Sequence, residues 1–194
     1  MPTYIRAYVL GGTFFFTPVT YQRYPLFRHS IARRALREAI QYVCAGRPFT
    51  IHAFVLMPDH LHMVWTLPPG DADFSTRWRL IKHFTTRHLS RVGLAPSYTV
   101  KQSPSRLKKH ERPIWQRRFW EHVVRDEKEF ATLCDYIHYN PVKHGYARCP
   151  HAWSYSSFHR FVQTKLYPQD WLCVCKGIRH RTPGFGLGDD IVGE

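Results

Sequence analysis

Acidic residues are scarce in this chain: 14 Asp and Glu face 28 Lys and Arg, a formal net charge of +14 in 194 residues. A chain so unbalanced repels itself when compact, and the excess is tolerated most readily when the working partner is a polyanion. Nucleic acid is the first candidate, ahead of an anionic membrane surface. Charge alone carries no sequence reading. Long hydrophobic runs are also missing, since no stretch approaches about 18 uncharged apolar residues, and no membrane span is expected. Met1 to Arg6 lacks the basic-then-apolar layout of a leader, so a cytoplasmic location is expected. Cysteine is sparse and scattered: Cys44, Cys134, Cys149, Cys173 and Cys175 are odd in number. They offer neither a disulfide framework nor paired Cys-x-x-Cys knuckles, and read as buried or incidental thiols. Cys173 and Cys175, one residue apart, are too few to specify a metal. Internal repeats are absent.

What is present suits one compact domain. Apolar residues make up 44% and aromatics 15%, enough for a real core in a chain of this length. From Tyr8 to Thr20 the residues are aromatic or β-branched around Gly11-Gly12, which predicts a strand entered through a glycine bulge. Ile31, Ala35, Leu36, Ala39, Ile40, Val43 and Cys44 keep a helical period that Gly46 ends. Phe49 to Met57 is apolar on both faces and reads as a central strand. After a Pro58-Asp59 turn, His60 to Leu67 alternates, with Leu61, Met63, Trp65 and Leu67 on one face and His60, His62, Val64 and Thr66 on the other.

A second helix is predicted over Phe74 to Leu89, capped by Asp73 or Ser75. Phe74, Trp78, Ile81 and Phe84 would face inward, with Arg77, Lys82 and Arg87 outside. Residues 93–113 are polar, proline-containing and basic, and read as a mobile loop. Trp115 to Trp120 interleaves aromatics with arginines as a short strand. A third helix starts at Asp126, with capping-box spacing to Glu129. It buries Phe130, Leu133, Cys134 and Ile137, and is expected to stop at Pro141. Trp153 to Leu172 is an aromatic segment packed back on the domain. Residues 173–194 form a flexible tail.

Two clusters carry chemistry. His60-Leu61-His62 in a strand puts two imidazoles on one face about 7 Å apart, near enough to converge on one ion. On the third helix, Tyr136 and Asn140 lie four apart and about 40° apart around the axis. Both stand on one shoulder of the buried stripe. Alone, each of these residues also has a plain structural role: a packed histidine, an interfacial tyrosine, a helix-terminal asparagine.

Together with Met57-Pro58-Asp59-His60-Leu61-His62, the runs Trp115-Gln116-Arg117-Arg118-Phe119-Trp120-Glu121-His122 and Asp135-Tyr136-Ile137-His138-Tyr139-Asn140-Pro141-Val142-Lys143-His144-Gly145 resemble the REP-associated tyrosine transposases. These are single-tyrosine members of the HUH (His, hydrophobic, His) transposases, in the IS200-like group. Gly11-Gly12-Thr13-Phe14-Phe15-Phe16-Thr17 and Trp153-Ser154-Tyr155-Ser156-Ser157 extend the resemblance over roughly residues 4–171. It implies an α+β, ferredoxin-like HUH fold over residues 1–172, with a central antiparallel sheet and helices packed on it. It further implies Tyr136 as nucleophile, His60, His62 and Asn140 as metal ligands, and single-stranded DNA hairpins as substrate.

A phenol is mostly protonated at neutral pH, so a divalent ion at those ligands would be needed to polarise the scissile phosphate. Imidazole suits Mn or Zn better than Mg. The resemblance favours Mg2+ or Mn2+, with zinc as an inhibitor or artefact. The expected product is a 5′-phosphotyrosine with a free 3′-hydroxyl, and the expected location is the nucleoid. For DNA contact, Trp115, Phe119 and Trp120 offer stacking faces worth about 1–3 kcal/mol per stacked base. Arg117, Arg118, Lys108 and Lys109 would reach phosphates. Two alternatives stay open: a non-catalytic single-stranded nucleic-acid binder, and a metal-dependent nuclease using water. Monomer and dimer are equally compatible with the sequence.

Overall fold

The computed structural model describes residues 6–94, 104–108 and 112–175. Four strands, β1 (Thr13–Thr17), β2 (Thr50–Leu56), β3 (Leu61–Thr66) and β4 (Trp120–Val123), form one antiparallel sheet in the order β2-β3-β1-β4. Helices α1 (Ser30–Gly46) and α2 (Phe74–Arg91) pack against each other and share a core with one sheet face. The helix α4 (Glu127–Lys143) covers the other. Two short α-helices, α3 (Pro104–Lys108) and α5 (Phe158–Gln163), are also present among the described residues. The βαββαβ order with β1 and β3 central is the expected ferredoxin-like arrangement. Among the described residues, no helix is long and apolar enough to cross a membrane.

Strand alternation distributes the core between the two faces. Phe14 and Phe16 join Leu61, Met63 and Trp65 under α1 and α2. Phe15 joins Val55, Val64 and the α4 residues Leu133, Cys134, Tyr136 and Ile137. Burying each phenylalanine is worth about 1.5–3 kcal/mol. The Thr13–Thr17 strand is apolar on both faces because both faces are covered. It is shorter than the span from Tyr8 to Thr20 that composition predicts. Tyr8, Val9 and Leu10 are exposed, and Gly11 turns the chain at φ +64°, where its N–H donates to the Asp71 carbonyl. The bulge lies elsewhere, in β2 between Ile51 and Ala53.

Several expectations are corrected. The β2 strand, predicted as central, is an edge strand. Its free edge is capped by the chain from Trp153 to Arg160: Leu56 N–H donates to the Tyr155 carbonyl, Ser157 N–H to the Phe54 carbonyl, and Trp153 Nε1 to the Leu56 carbonyl. That cover explains apolar residues on an edge. The Trp115–Trp120 strand is displaced to Trp120–Val123, and Trp115 makes only an isolated bridge with Thr20. Arg77 is 1% exposed rather than outside, donating to the Arg47, Pro48 and Asp73 carbonyls and to the Asp71 carboxylate. Those four acceptors make its burial tolerable. Lys82 is half-buried near the Trp115 and Phe119 rings, donates to the Gln116 carbonyl, and is pushed down to about 7 by burial and by the charges of Arg6 and Arg106.

The Asp126 cap holds: its carboxylate accepts from Glu129 N–H, while Glu129 reaches back to Arg125 N–H. Pro141 does not stop α4. The helix carries it and ends two residues later at Lys143, with Gly145 just beyond at φ +70°. A proline gives up its own N–H bond and crowds the carbonyl four residues back, but its fixed φ is helical, and here only Val142 and Lys143 follow it in the helix. Of the basic segment 93–113, residues 104–108 form α3; Lys101 and Lys109 lie outside the described residues, as does the tail from 176. Cys173 and Val174 belong to the folded part, since Cys173 is buried and Val174 N–H donates to the Arg148 carbonyl. The expectation of isolated thiols is also wrong for Cys149 and Cys173, which are joined as a disulfide with Cys175 beside them.

The α4 side holds a buried histidine outside the two predicted clusters. Nε2 of His138 lies 2.8 Å from Ser157 Oγ, and burial, aided by Arg160, pushes its pKa down to about 3. The unfolded chain takes up this proton near pH 6.5, whereas the folded one refuses it until about 3. Stability is therefore full above 6.5 and falls with pH through that window, by up to about 1.4 kcal/mol per pH unit. Urea midpoints between pH 7 and 4 are expected to fall more steeply in the wild type than in His138→Asn.

Candidate active site

The turn joining β2 to β3 places the first imidazole. Met57 N–H donates to the His60 carbonyl, Phe27 N–H to the Pro58 carbonyl, and the Thr20 hydroxyl to the Asp59 carbonyl. His60 is bridged to Val19 and His62 lies within β3, both buried on the α4 face, with ring centroids 4.9 Å apart. Each ring is oriented through Nδ1. His60 Nδ1 lies 2.7 Å from Asp59 Oδ1, and His62 Nδ1 lies 2.9 Å from Thr17 Oγ1. Burial raises the Asp59 pKa, but hydrogen bonds and charges from His60 and Arg23 more than offset it and hold the carboxyl below its ordinary range. A carboxylate behind a histidine is how ligating imidazoles are commonly held.

Helix α4 supplies the rest. Its apolar stripe packs on β2 and β3, and this brings the Tyr136 ring to 5.2 Å from the His62 ring and 6.1 Å from Phe15. Tyr136 and Asn140 are both buried, deeper than a position on the helix shoulder suggests. Nε2 of His60 is a buried nitrogen without a hydrogen bond; Nε2 of His62 and Oδ1 of Asn140 are in the same condition, although each of those residues is engaged through other atoms. A buried polar atom left this way carries a desolvation cost that a cation would relieve. Two imidazole nitrogens suit borderline divalent ions such as Zn2+ or Fe2+, and the amide oxygen is a donor that the harder Mn2+ and Mg2+ take. His60, His62 and Tyr136 therefore lie together, with Asn140 buried one helical turn after Tyr136 on α4.

Four further residues were not singled out in the sequence. Thr17 and Asp59 hold the histidines. Lys143 Nζ lies 5.1 Å from the Tyr136 ring centroid, and the His144 ring lies 5.8 Å from that of His60. The signal for His144 was available: Tyr136, Asn140 and His144 form one row at four-residue spacing on the helix. Thr17 had a weaker one, lying two residues from Phe15 and so on the same strand face.

The aromatic run divides. Trp115 is 6% exposed and packs on Phe27 in the α1–α2 core. Phe119 packs against Phe16, Phe74 and Trp78 on that same side, under the Arg6 guanidinium. Trp120 alone lies on the α4 face, half-buried, 5.8 Å from Phe15 and stacked on His122. Arg117, Arg118 and Lys108 are exposed.

The model of the family "Transposase IS200 like" matches residues 13–140. A REP-associated tyrosine transposase of Escherichia coli (strain K12) is 42% identical over 171 residues, 88% of this chain and 91% of its own length. A Haemophilus influenzae (strain Rd) protein is 40% identical over 171 residues, 88% of this chain and 93% of its own. Among solved structures, a REP-associated tyrosine transposase bound to a REP hairpin superposes with a TM-score of 0.72 at 42% identity, over 88% of this chain and 91% of that one.

Proposed function

Since the chain belongs to the IS200-like transposase family, we propose that it cuts and rejoins hairpin-bearing single-stranded DNA, with Tyr136 as the nucleophile. The observation that supports this is the Tyr136 ring beside His62, itself beside His60, in a buried site between β3 and α4, with Asn140 one helical turn further along α4. The phenolic oxygen attacks the scissile phosphorus, the bond to the 3′ oxygen breaks, and that oxygen leaves as a hydroxyl. The phosphate remains on Tyr136 as a 5′-phosphotyrosine. Exchange of one ester for another keeps the bond energy, so a second 3′-hydroxyl reverses the step and joins new ends.

His60, His62 and Asn140 would hold Mg2+ or Mn2+, which supplies Lewis-acid polarisation of the phosphate. Asp59 and Thr17 keep both imidazoles turned with Nε2 toward the site. Lys143 offers positive charge beside the ring, placed to balance charge developing during attack. Trp120 provides a stacking surface on the same face, with Arg117, Arg118 and Lys108 as phosphate contacts at the periphery. The substrate class, a palindromic repeat hairpin, is taken from the partner of the superposed relative. A DNA substrate also implies a cytoplasmic, nucleoid-bound location.

The test is a labelled hairpin oligonucleotide incubated with the protein and Mn2+ or Mg2+, then denatured in detergent. Label migrating with protein supports the proposal. Cleavage without it points to water as nucleophile, and a shift seen only in native gels points to a binder. A second measurement addresses the support behind His60: Asp59→Asn is expected to weaken metal affinity about 10–100-fold. This would appear as a higher Mn2+ concentration for half-maximal cleavage, with an unchanged circular dichroism spectrum.

A further inference from the structure

Beyond the C-terminal end of α4, two short pieces of chain run side by side. Cys149 and His151 lie in the loop that follows α4, and Cys173 and Cys175 lie beyond α5. The Val174 N–H bond to the Arg148 carbonyl aligns the pieces. Cys175 Sγ stands 3.0 Å from Cys149 Sγ and 3.4 Å from Cys173 Sγ. His151 Nδ1 is 3.8 Å from Cys173 Sγ. All three sulfurs lie within 4.8 Å of one another.

The disulfide between Cys149 and Cys173 uses two sulfurs. It gives no reason for a third sulfur to stand against both, with an imidazole 3.8 Å from one of them, Cys173 Sγ. Three thiols and an imidazole, in a Cys-x-His and a Cys-x-Cys pair, are instead a donor set that tetrahedral zinc takes. We propose that in the reduced protein Cys149, His151, Cys173 and Cys175 hold one structural zinc ion. Each thiol gives its proton to solvent on binding, and no electron is exchanged. Around zinc, with Zn–S near 2.3 Å, sulfurs sit about 3.7 Å apart. Reduction lets the Cys149 and Cys173 sulfurs part, and Cys175 Sγ then has to withdraw by about 0.7 Å from Cys149 and about 0.3 Å from Cys173 to reach that spacing, while the imidazole of His151 swings inward.

The ion would close a span of 26 residues from Cys149 to Cys175. Within that span are the segment that caps the edge of β2, the Ser157 partner of His138, and Tyr167, which donates to the Asp135 carboxylate. The site therefore fastens the C-terminal part of the domain to the end of the helix that carries Tyr136. It is independent of the transposase chemistry proposed above.

The full chain is to be purified in a phosphine reductant from zinc-supplemented cells, in a His60→Ala, His62→Ala background so that the catalytic histidines contribute no metal. Elemental analysis is expected to find close to one zinc per chain. The metal should fall to background in Cys149→Ser and in Cys175→Ser, and remain in Cys44→Ser. Because Cys175 is exposed, its replacement leaves folding intact, as circular dichroism would verify. Cobalt in place of zinc should show thiolate charge-transfer bands and intense tetrahedral d–d bands. Zinc removal should raise amide exchange within residues 149–175 and not in the sheet. Absence of zinc from the reduced chain would overturn the proposal. So would zinc retained in Cys175→Ser, or a Cys149–Cys173 disulfide found intact in cells quenched with an alkylating agent.

Discussion

Tyr136→Phe is expected to abolish the covalent protein–DNA band and to lower hairpin cleavage by about 10⁴–10⁶-fold, the order by which losing a nucleophile lowers turnover elsewhere. The substitution removes one oxygen and keeps the ring. The ring's contacts with Phe15, His62 and Lys143 are kept, so the site's shape should persist. Hairpin binding in native gels should be close to wild type, because affinity for nucleic acid is spread over many phosphates. Cleavage that survives undiminished in Tyr136→Phe would transfer the nucleophile to water or to another residue.

His60→Ala is expected to be as damaging to cleavage for a different reason. It deletes a nitrogen that faces the site without a hydrogen bond and leaves the Asp59 carboxylate without its imidazole. With one of three ligands gone, the cation should be held too weakly at millimolar concentrations to polarise phosphate. Hairpin affinity is expected to drop by less than about tenfold, or 1.4 kcal/mol. Cleavage assayed across a Mn2+ titration, beside native-gel binding and a thermal melt, separates these effects. Loss of binding together with loss of folding would mean that His60 serves the core rather than the chemistry.

Much of the site was legible before the structure because its parts are local. The alternation from His60 to Leu67 forces the two imidazoles to the face opposite Leu61, Met63 and Trp65, whatever packs there. The four-residue spacing of Tyr136 and Asn140 puts them on one side of any helix that contains both. What could not be read is which elements those faces meet. The burial of Arg77 depends on carbonyls of Arg47 and Pro48, some 30 residues earlier. The aromatic run from Trp115 to Trp120 divides between the two sheet faces only because β4 begins at Trp120 rather than five residues before it.

The order of residues by itself determined the periodicities, the helix cap at Asp126, the choice of Asp73 or Ser75 for the cap of α2, the strong positive charge, and the family motifs. These rest on bonds and contacts between near neighbours, whose geometry repeats wherever the chain goes. Tertiary structure alone decided that β2 lies at an edge beneath the Trp153–Arg160 segment, that Thr17 and Asp59 orient the histidines, and that three sulfurs from distant positions meet. The physical reason is separation along the chain. Thr17 reaches His62 across 45 residues, and Cys149 reaches Cys175 across 26, contacts that exist only once both cores have closed on the sheet.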